Sequence, residues 1–490
     1  MLLIFAVSLA SARPALLRWV AQLPGAAVGP ISLEPSDCGI GGGMYLTEAA
    51  RDGDLLFAVP MEAAITLHTA LSDAAIGLEL RDVWEHEGER AATAGFVAAH
   101  LLDPSSFFAP YLATLPARTA DLPQHVLWWD AHEVALLDGT TAARECASIR
   151  DEVDDVCRVL RDGALSSLVA AHGDDAVDEA VRRAFAALFS RSFDLPDAFD
   201  LGTCLVPLLD CLQHSAAPSV RYGWGEGEGG ESRLEGRAVG SLAAGSELSI
   251  SYGEHPDMVF GSHYGFVPPL LQQPSSCYTV LRLGHELADG GMGAAAVLAA
   301  QHEAEERRLD DDASEDDDAA WSVEGLRSAP GAALASLLAA VGTASAAPLA
   351  FGVSSQDLDR AARGAPLAPV GVTRGSGSLD ALRACARLCA LRRDDSPDDD
   401  DAQTAAAVRA VLSAGSVGAA NDADAARLVE AAAAAQLAAL ESSGGDAAAA
   451  VGAAAPPRAA CAEMASALRA SEAIVLRRLA DGGEVAALFS

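Results

Sequence analysis

The chain contains no lysine, and Asn421 is the only asparagine among its 490 residues. Both residue types use adenine-rich codons, whereas Ala, Gly, Arg and Asp are abundant, so we infer a GC-rich coding sequence. An arginine in place of lysine, or a glutamine in place of asparagine, is therefore weak evidence for lost function in this chain. The chain also has no lysine of its own that could be modified.

Positive charge is scarce, because 33 Lys+Arg stand against 69 Asp+Glu and the formal net charge is −36. Such an acidic surface repels phosphate backbones, which argues against nucleic acid as a partner. It favours basic protein segments as partners, although solubility alone accounts for most of the charge. The hydrophobic fraction of 51% is that of a globular protein, and the length predicts two or three domains.

The nine cysteines are scattered, odd in number and without a CxxC pair, which argues against a disulfide framework and against a zinc cluster. Cys204, Cys211 and His214 could converge on a metal ion. The first two belong to an apolar, strand-like run, and this favours small core thiols instead, so we predict no metal site. Free thiols fit a reducing compartment.

No apolar run in the interior of the chain reaches membrane-spanning length without charges or breakers, so we expect a soluble protein with no membrane partner. The segment Met1–Ala10 is apolar, and Ala10–Ala12 resembles a signal-peptidase site, but a basic region before it is missing. We assign residues 1–14 to a targeting remnant or a misassigned start. The compartment stays open between cytoplasm, nucleus and plastid.

The pattern of apolar residues divides the chain after residue 14 into four regions. Short strand-like pieces and turns fill 15–70, including a buried strand at Leu55–Pro60. Helical spacing dominates 71–200, for instance in Arg144–Leu160, and strands return in 201–285. The remainder, 290–490, is alanine-rich and predicted to be helical, and Cys461–Leu479 carries the apolar stripe of a packed helix. Two acidic runs, 310–318 and 394–401, cannot bury apolar area and are predicted to be loops.

Gly225, Gly227 and Gly230 match the GxGxxG pattern of dinucleotide-binding loops. Glu226 and Glu228 would repel a pyrophosphate, and the residues that follow read as a strand where a helix is needed. We therefore interpret this segment as the loop of a β-hairpin.

Several motifs occur in an order that is informative as a set. They are Gly41–Met44, Phe107–Pro116, Ser190–Phe193, Leu205–Ser215, Glu247–Gly253 and His263–Val267. With them the chain resembles the SET-domain methyltransferases of the Rubisco large-subunit lysine methyltransferase class, which includes relatives that methylate actin histidine. The resemblance extends from about Leu16 to Leu488. It implies an α+β fold: a split SET β-fold with a helical insert, followed by an all-α C-terminal substrate-binding domain.

The resemblance also implies a cofactor, S-adenosyl-L-methionine, and a set of residues that contact it. These are Gly41, Gly42, Gly43, Arg191, Asp210, Gln213, His214 and Tyr252. The glycines form a bend that the cofactor can approach closely, because they lack Cβ. Arg191 matches a position beside the cofactor's carboxylate, where a guanidinium can bind two oxygens at once. Asp210 fixes the same loop, and Gln213 departs from the family, which has Asn before the histidine.

Tyr252 is the catalytic residue that the resemblance implies, with its hydroxyl near the methyl group and the acceptor amine. Tyr264 and Phe266 line the acceptor channel. The expected activity is protein-lysine N-methylation, and a basic segment of the protein substrate would meet the acidic surface of a monomeric enzyme. Two alternatives stay open: methylation of a protein histidine, and a non-catalytic SET-like binding module in which Gln213 has abolished cofactor affinity.

Overall fold

The computed structural model of the chain describes residues 9–37, 42–116, 125–194, 202–227, 230, 232–268, 277–283, 349–362, 382–383, 386–387, 419–450, 458–481 and 485–489. Gly41 and the two acidic runs lie outside these residues. In the described part, the chain runs from a helix through strands into a helical insert. It then returns to strands and ends in helices.

The helices up to residue 260 comprise an N-terminal helix, the insert and one short turn. They are α1 (Leu9–Ala21), α2 (Leu67–Leu71), α3 (Gly77–Glu87), α4 (Glu89–Leu102), α5 (Ala109–Leu112), α6 (Ala131–Ala135), α7 (Thr141–Asp162), α8 (Ser166–His172), α9 (Asp174–Arg191) and α10 (Asp257–Val259). The later helices are α11 (Ser355–Ala362), α12 (Ala419–Ala450), α13 (Ala459–Ala480) and α14 (Val485–Phe489). A π-helix (Phe260–Tyr264) follows α10 directly.

The strands flank the insert on both sides. They are β1 (Ala27–Val28), β2 (Ile31–Pro35), β3 (Gly42–Leu46), β4 (Leu55–Pro60), β5 (Ser192–Asp194), β6 (Thr203–Leu205), β7 (Gln213–His214), β8 (Val220–Glu226), β9 (Ser232–Ala238), β10 (Glu247–Ile250), β11 (Tyr278–Leu283) and β12 (Leu349–Ser354). The predicted strand Leu55–Pro60 is confirmed as β4. The GxGxxG segment lies in the β8–β9 hairpin, so its interpretation as a hairpin is also confirmed.

Strands from before and after the insert pair with each other in two four-stranded sheets. The order is β1-β4-β9-β8 in one sheet and β2-β3-β10-β7 in the other. Every pairing in them is antiparallel except that of β7 with β10, which is parallel and sets Gln213 opposite Ser249 and His214 opposite Ile250. Strands from both halves are needed in each sheet, so the split β-fold closes only when residues roughly 170 to 200 positions apart pair, as Pro60 does with Arg233 and Tyr45 with Glu247.

The helical insert packs through the apolar stripe that its sequence predicts. Ile149, Val153, Val156 and Leu160 are all buried on α7, as the helical spacing indicates. Helix α9 is buried along most of its length against α4, and it ends at Arg191, where β5 begins. The insert thus delivers the end of α9 directly to the strands.

Helix α1 begins inside the segment that we assigned to a targeting remnant. Ala12 and Leu16 are buried, and the helix lies against β1, β2 and α5. Residues 12–16 of α1 thus pack against the strands and the insert.

The C-terminal region is mainly helical, but it also contains strand β12, which the sequence did not predict. β12 pairs with β11, and both lie over a second apolar core formed with α12, α13 and α14. The predicted stripe of α13 is confirmed and is divided between two cores. Met464 and Leu468 belong to the first core, while Val475 and Leu479 belong to the second.

Two buried carboxylates bind the C-terminal helices to the insert. Glu472 of α13 accepts hydrogen bonds from the backbone and hydroxyl of Thr141, at the start of α7, and from the Thr279 hydroxyl. Glu133 of α6 accepts from the Arg458 guanidinium at 2.7 Å through each carboxylate oxygen. Both carboxylates are almost fully enclosed, so each is committed to these partners.

The described residues contain no helix that is both long enough and apolar enough to cross a membrane.

We expect the Glu133–Arg458 pair to appear in the acid stability of the chain. Burial by itself raises the pKa of Glu133, but hydrogen bonds from Arg458 and from the Asp130 backbone outweigh it and lower the pKa from 4.5 to about 2. Because the folded-state pKa is the lower one, the pair stabilises the fold above about pH 4.5, and this stability is lost as the pH falls toward 2.

Glu133→Gln should therefore lower the free energy of unfolding at pH 7 by about 2–3 kcal/mol, measured by denaturant titration. The difference from the unchanged chain should shrink below pH 4.5. Glu441→Gln is the matched control, because Glu441 and Arg477 form an ion pair that is more than half exposed. An exposed pair contributes little, so an equal loss in both variants would contradict the assignment.

Candidate functional site

The turn after β6 holds the only non-glycine residue with positive φ among the described residues. Leu208 has φ 67° and ψ −43°, a conformation that costs about 1–3 kcal/mol for a residue with a Cβ. Its side chain is fully buried, as are its neighbours Leu205 and Leu209. Burial on this scale maintains the strained backbone and fixes the direction of the residues that follow, Asp210 to His214.

Asp210 is the centre of the polar contacts that follow this turn. Its Oδ2 accepts a hydrogen bond from the Tyr111 hydroxyl at 3.0 Å and lies 3.4 Å from Arg191 Nη1. The same Nη1 donates to the Asp210 backbone carbonyl at 2.9 Å. The carboxylate has no exposed surface, so it can act on a bound molecule only through Arg191. These contacts join the Asp210 segment to the insert and to the end of α9.

Burial determines the electrostatics of this group. It raises the pKa of Asp210, against the effect of Arg191 and of the Tyr111 hydrogen bond. Burial also acts to lower the pKa of Arg191, but the Asp210 charge outweighs it and the guanidinium stays protonated. Arg191 is close enough to Tyr252 for an electrostatic interaction between them, so the predicted cofactor arginine and the predicted catalytic tyrosine share one environment.

Gln213 ties the tip of β7 to the glycine segment. Its Nε2 donates to the carbonyl of Gly42 at 2.8 Å, so the longer side chain that replaces the family's Asn is used in a strand-to-strand bond. Gly42 and Gly43 were predicted to form a bend, but they are the first two residues of β3, opposite Pro35 and Glu34. A Cβ at Gly43 would collide with the Glu247 carboxylate, so a larger residue there would require the Glu247 side chain to move.

His214 fixes the segment that carries Tyr252. Its Nδ1 accepts a hydrogen bond from the Tyr252 backbone N–H at 3.1 Å. A nitrogen that accepts carries no proton, so the neutral ring holds its proton on Nε2. The imidazole also lies 5.0 Å from the Phe260 ring and 5.3 Å from the Tyr252 ring, between centroids. His214 is thus a structural link as well as a predicted cofactor contact.

The Tyr252 hydroxyl donates to the backbone carbonyl of Leu212 at 2.7 Å. Since the hydroxyl donates its proton to that carbonyl, its oxygen can meet any other donor only as an acceptor. The ring stacks on Tyr264 with centroids 5.1 Å apart and planes 21° apart. Phe266 meets the same ring edge to face at 6.4 Å. Tyr252, Tyr264 and Phe266, predicted to act together, form one half-buried aromatic group.

The π-helix carries Tyr264, and Phe266 follows just after its C-terminal end. It ends at Gly265, whose φ of 74° lies in the left-handed region that glycine tolerates and that reverses the chain between Tyr264 and Phe266. Single π-turns occur frequently at functional sites. Here the turn brings both side chains to the Tyr252 ring.

His125 holds this π-helix from the insert side. Its Nε2 donates to the carbonyl of His263 at 3.0 Å, and its Nδ1 accepts from the Leu127 backbone at 3.3 Å. Burial and the nearby His263 lower the pKa of His125 to about 3, so the ring is neutral and both bonds persist at physiological pH.

The site therefore unites Gly42, Gly43, Arg191, Asp210, Gln213, His214, Tyr252, Tyr264 and Phe266. Gly41 lies outside the described residues. The sequence analysis did not assign Tyr111 or His125 to the site. Tyr111 lies within the motif Phe107–Pro116, which was a usable signal, whereas nothing in the local sequence singles out His125. Among the described residues no group of three or more His, Cys, Asp or Glu is arranged to hold a metal ion.

Comparisons with known proteins agree with this geometry at the level of the fold. No protein-family model matches the chain, and a search of curated proteins finds no match. Solved structures do match. The SET domain of LSMT bound to lysine and AdoHcy superposes with a TM-score of 0.63 at 16% identity, covering 97% of this chain and 91% of that one.

Two further structures, both also 16% identical to this chain, give the same result. Rubisco LSMT bound to sinefungin and monomethyllysine has a TM-score of 0.60, with 96% of this chain and 90% of that one covered. Rubisco LSMT bound to AdoMet has a TM-score of 0.58, with 96% and 91% covered. The chain has the fold of these SET-domain proteins, so the predicted fold class and the resemblance to this class are confirmed at that level.

We expect the site to depend on the hydrogen bond from Tyr111 to Asp210. Tyr111→Phe removes one donor from a fully buried carboxylate and should lower the free energy of unfolding by about 1–2 kcal/mol, because an unsatisfied buried acceptor is costly. Tyr222→Phe is the control, since Tyr222 is 38% exposed and should change stability by less than about 0.5 kcal/mol. Both free energies of unfolding are measured by denaturant titration. Equal losses in the two variants would show that the Tyr111–Asp210 hydrogen bond stabilises the chain no more than an exposed tyrosine hydroxyl does.

Proposed function

We propose that the chain is an S-adenosyl-L-methionine-dependent protein methyltransferase that acts on the Nε of lysine. The observation that carries this proposal is the position of the Tyr252 hydroxyl. The hydroxyl donates a hydrogen bond to the Leu212 carbonyl, and the ring stacks on Tyr264. Arg191 is close enough to Tyr252 to interact with it electrostatically. One site thus combines an oxygen acceptor, aromatic walls and a cation. The solved SET-domain neighbours, which are bound to AdoHcy and lysine, to sinefungin and monomethyllysine, or to AdoMet, support the same function.

The residues present fit the proposed methyl donor. The Arg191 guanidinium suits a carboxylate, because charge-assisted hydrogen bonds to carboxylates are the strong ones. Gln213 follows Asp210 by three residues and is held to β3 by its bond to the Gly42 carbonyl. S-adenosyl-L-methionine would supply there a methyl group on a positively charged sulfur, and as an unprotonated amine nitrogen bonded the methyl carbon the C–S bond would break and the neutral thioether would leave.

The chain's own residues contribute position and a dry environment to this displacement. Tyr264 and Phe266 wall the space beside Tyr252, and Phe260 is fully buried behind them. Apolar walls favour an uncharged amine over its protonated form. The lone pairs of the Tyr252 oxygen can accept a hydrogen bond from the amine and so align it. In this scheme the Tyr252 hydroxyl keeps its proton and its hydrogen bond to the Leu212 carbonyl. The proton that the amine loses passes to solvent.

The charge of the chain supports a basic protein segment as the substrate. A formal net charge of −36 attracts lysine-rich segments over distances comparable to the Debye length. Methylation of such a substrate should slow as the ionic strength rises. A soluble monomer, without nucleic acid or membrane as a partner, remains part of this proposal.

The first experiment separates the enzyme from a non-catalytic binding module. Isothermal titration of the full chain with S-adenosyl-L-methionine should show binding with one site. No heat of binding and no rise in the unfolding temperature at millimolar cofactor would favour the binding module.

The second experiment tests Tyr252 and the acceptor residue together. The chain is incubated with methyl-labelled cofactor and a protein extract, and the labelled proteins are hydrolysed to amino acids. We expect the label to appear in methyllysine. Label in methylhistidine would show that the acceptor is histidine and not lysine. Tyr252→Phe should slow transfer by about 100-fold or more, because it removes a group that acts in the transition state. Tyr222→Phe is the control, and an unchanged rate in Tyr252→Phe would remove Tyr252 from the mechanism.

A further inference from the structure

The last turn of the π-helix receives a hydrogen-bond donor from a distant part of the chain. In a π-helix the carbonyl of each residue bonds the N–H five residues later. For His263 that later residue is Pro268, which has no N–H to donate. The donor comes from the insert instead: His125 Nε2 bonds the His263 carbonyl at 3.0 Å, across 138 positions of sequence. The end of the π-helix therefore relies on His125.

His125 is itself held in a fixed position. Its Nδ1 accepts from the Leu127 backbone, which makes His125 the N-cap of the short 3-10 turn Val126–Trp128. That turn is buried, and Arg150 of α7 donates to the carbonyls at its two ends, at 2.9 and 2.8 Å. The imidazole is fully enclosed and neutral, so it has one N–H to give, on Nε2. His125 thus transmits the position of the insert to the π-helix.

The side chain of His263 gives the insert a second hold on the same residue. Its ring lies 5.0 Å from the Phe189 ring of α9, between centroids, and its Nε2 lies 3.5 Å from a carboxylate oxygen of Glu145 on α7. Phe189 is two residues before Arg191, the predicted cofactor arginine. One frame, made of α7, α9 and the turn that His125 caps, therefore positions both Arg191 and the backbone of residue 263.

The position of His263 matters because its neighbour in the chain is an aromatic wall of the site. That neighbour is Tyr264, whose ring stacks on Tyr252 with planes 21° apart. A shift of the His263 backbone therefore moves the Tyr264 ring relative to the phenol oxygen that the proposed reaction uses. A misplacement of about 1 Å that originates far from the reacting atoms can slow a reaction by about 100-fold.

We propose that His125 is a positioning residue for methyl transfer: by donating to the His263 carbonyl it fixes Tyr264 against Tyr252, and so aligns the acceptor amine. This inference rests on the proposed function. His125 acts through the π-helix and is enclosed by protein on all sides. We therefore expect it to affect the rate of transfer and to leave the affinity for the methyl donor unchanged.

Two variants separate the two hydrogen bonds of His125. In His125→Gln the amide nitrogen reaches about as far from Cα as Nε2 does, so a donor to the His263 carbonyl is kept. In His125→Asn the amide reaches only about as far as Nδ1, so that donor is lost while the bond within the turn can remain. His100→Asn is the matched control. His100 is another histidine of the insert with both ring nitrogens bonded, to Ser106 at 2.8 Å and to Asp73 at 3.2 Å.

Each variant of the full chain is measured in two ways. Calorimetry with S-adenosyl-L-methionine gives the dissociation constant and the number of chains that bind the donor. Label transfer to one protein extract, at saturating methyl-labelled donor, gives an initial rate that is divided by that number. Because the rate is counted per donor-binding chain, a loss of folded protein cannot imitate a loss of positioning.

We expect His125→Asn to lower this rate by about 10- to 100-fold and to leave the dissociation constant of the donor within about threefold. His125→Gln should stay within about threefold of the unchanged chain in both quantities, because it keeps the donor to the His263 carbonyl. His100→Asn should change neither quantity, even where it lowers the unfolding temperature.

An unchanged rate in His125→Asn would overturn the inference, and so would equal losses of rate in His125→Asn and His125→Gln. Loss of folding or of donor binding in His125→Asn would overturn it as well, because His125 would then support the fold and not the alignment of the amine. If the unchanged chain neither binds the donor nor transfers label, the proposed function itself falls and this inference with it. If the unchanged chain does both and only the His125 result is negative, the proposed function stands and the role of His125 is refuted.

Discussion

The site depends on the buried carboxylate of Asp210. It receives the Tyr111 hydroxyl from the helical insert and the Arg191 guanidinium from the end of α9, and it follows directly after the strained backbone of Leu208. These groups come from separate parts of the chain. Burying any one of them without the others would cost free energy that nothing offsets. Together they satisfy one another, because the carboxylate neutralises the guanidinium and the buried leucines maintain the turn. The direction of the next residues, including Gln213 and His214, follows from this arrangement.

Much of the fold could be predicted from local sequence. The buried run Leu55–Pro60 is a strand, the spacing in α7 and α13 is helical, and the glycine-rich segment near Gly225 is a hairpin. The partners of these elements could not be predicted. An alternating or apolar strand carries no information about which other strand it pairs with, so the pairings of β4 with β9 and of β3 with β10 were not accessible. Strand β12 was missed because its residues, Leu349–Ser354, follow a long alanine-rich stretch that favours a helix.

The identity of the site residues came from motif resemblance, and their contacts did not. Local sequence indicates that Gln213 and Gly42 matter, but only the three-dimensional structure shows that the Gln213 amide binds the Gly42 carbonyl. The predicted bend at Gly42 and Gly43 is the start of a strand, because pairing with β2 outweighs the conformational freedom of glycine. His125 supports the π-helix through a single backbone carbonyl more than 130 positions away, a contact that no local pattern encodes.

Helix α13 extends through both apolar cores, with Met464 in one and Val475 in the other. Because one continuous helix is buried in both cores, unfolding of one core should destabilise the other. A chain that ended before Ala459 would expose apolar surface on both cores. We therefore expect neither core to fold stably without α13. A substitution that loosens the packing of the last helices should therefore also loosen the wall of the first core.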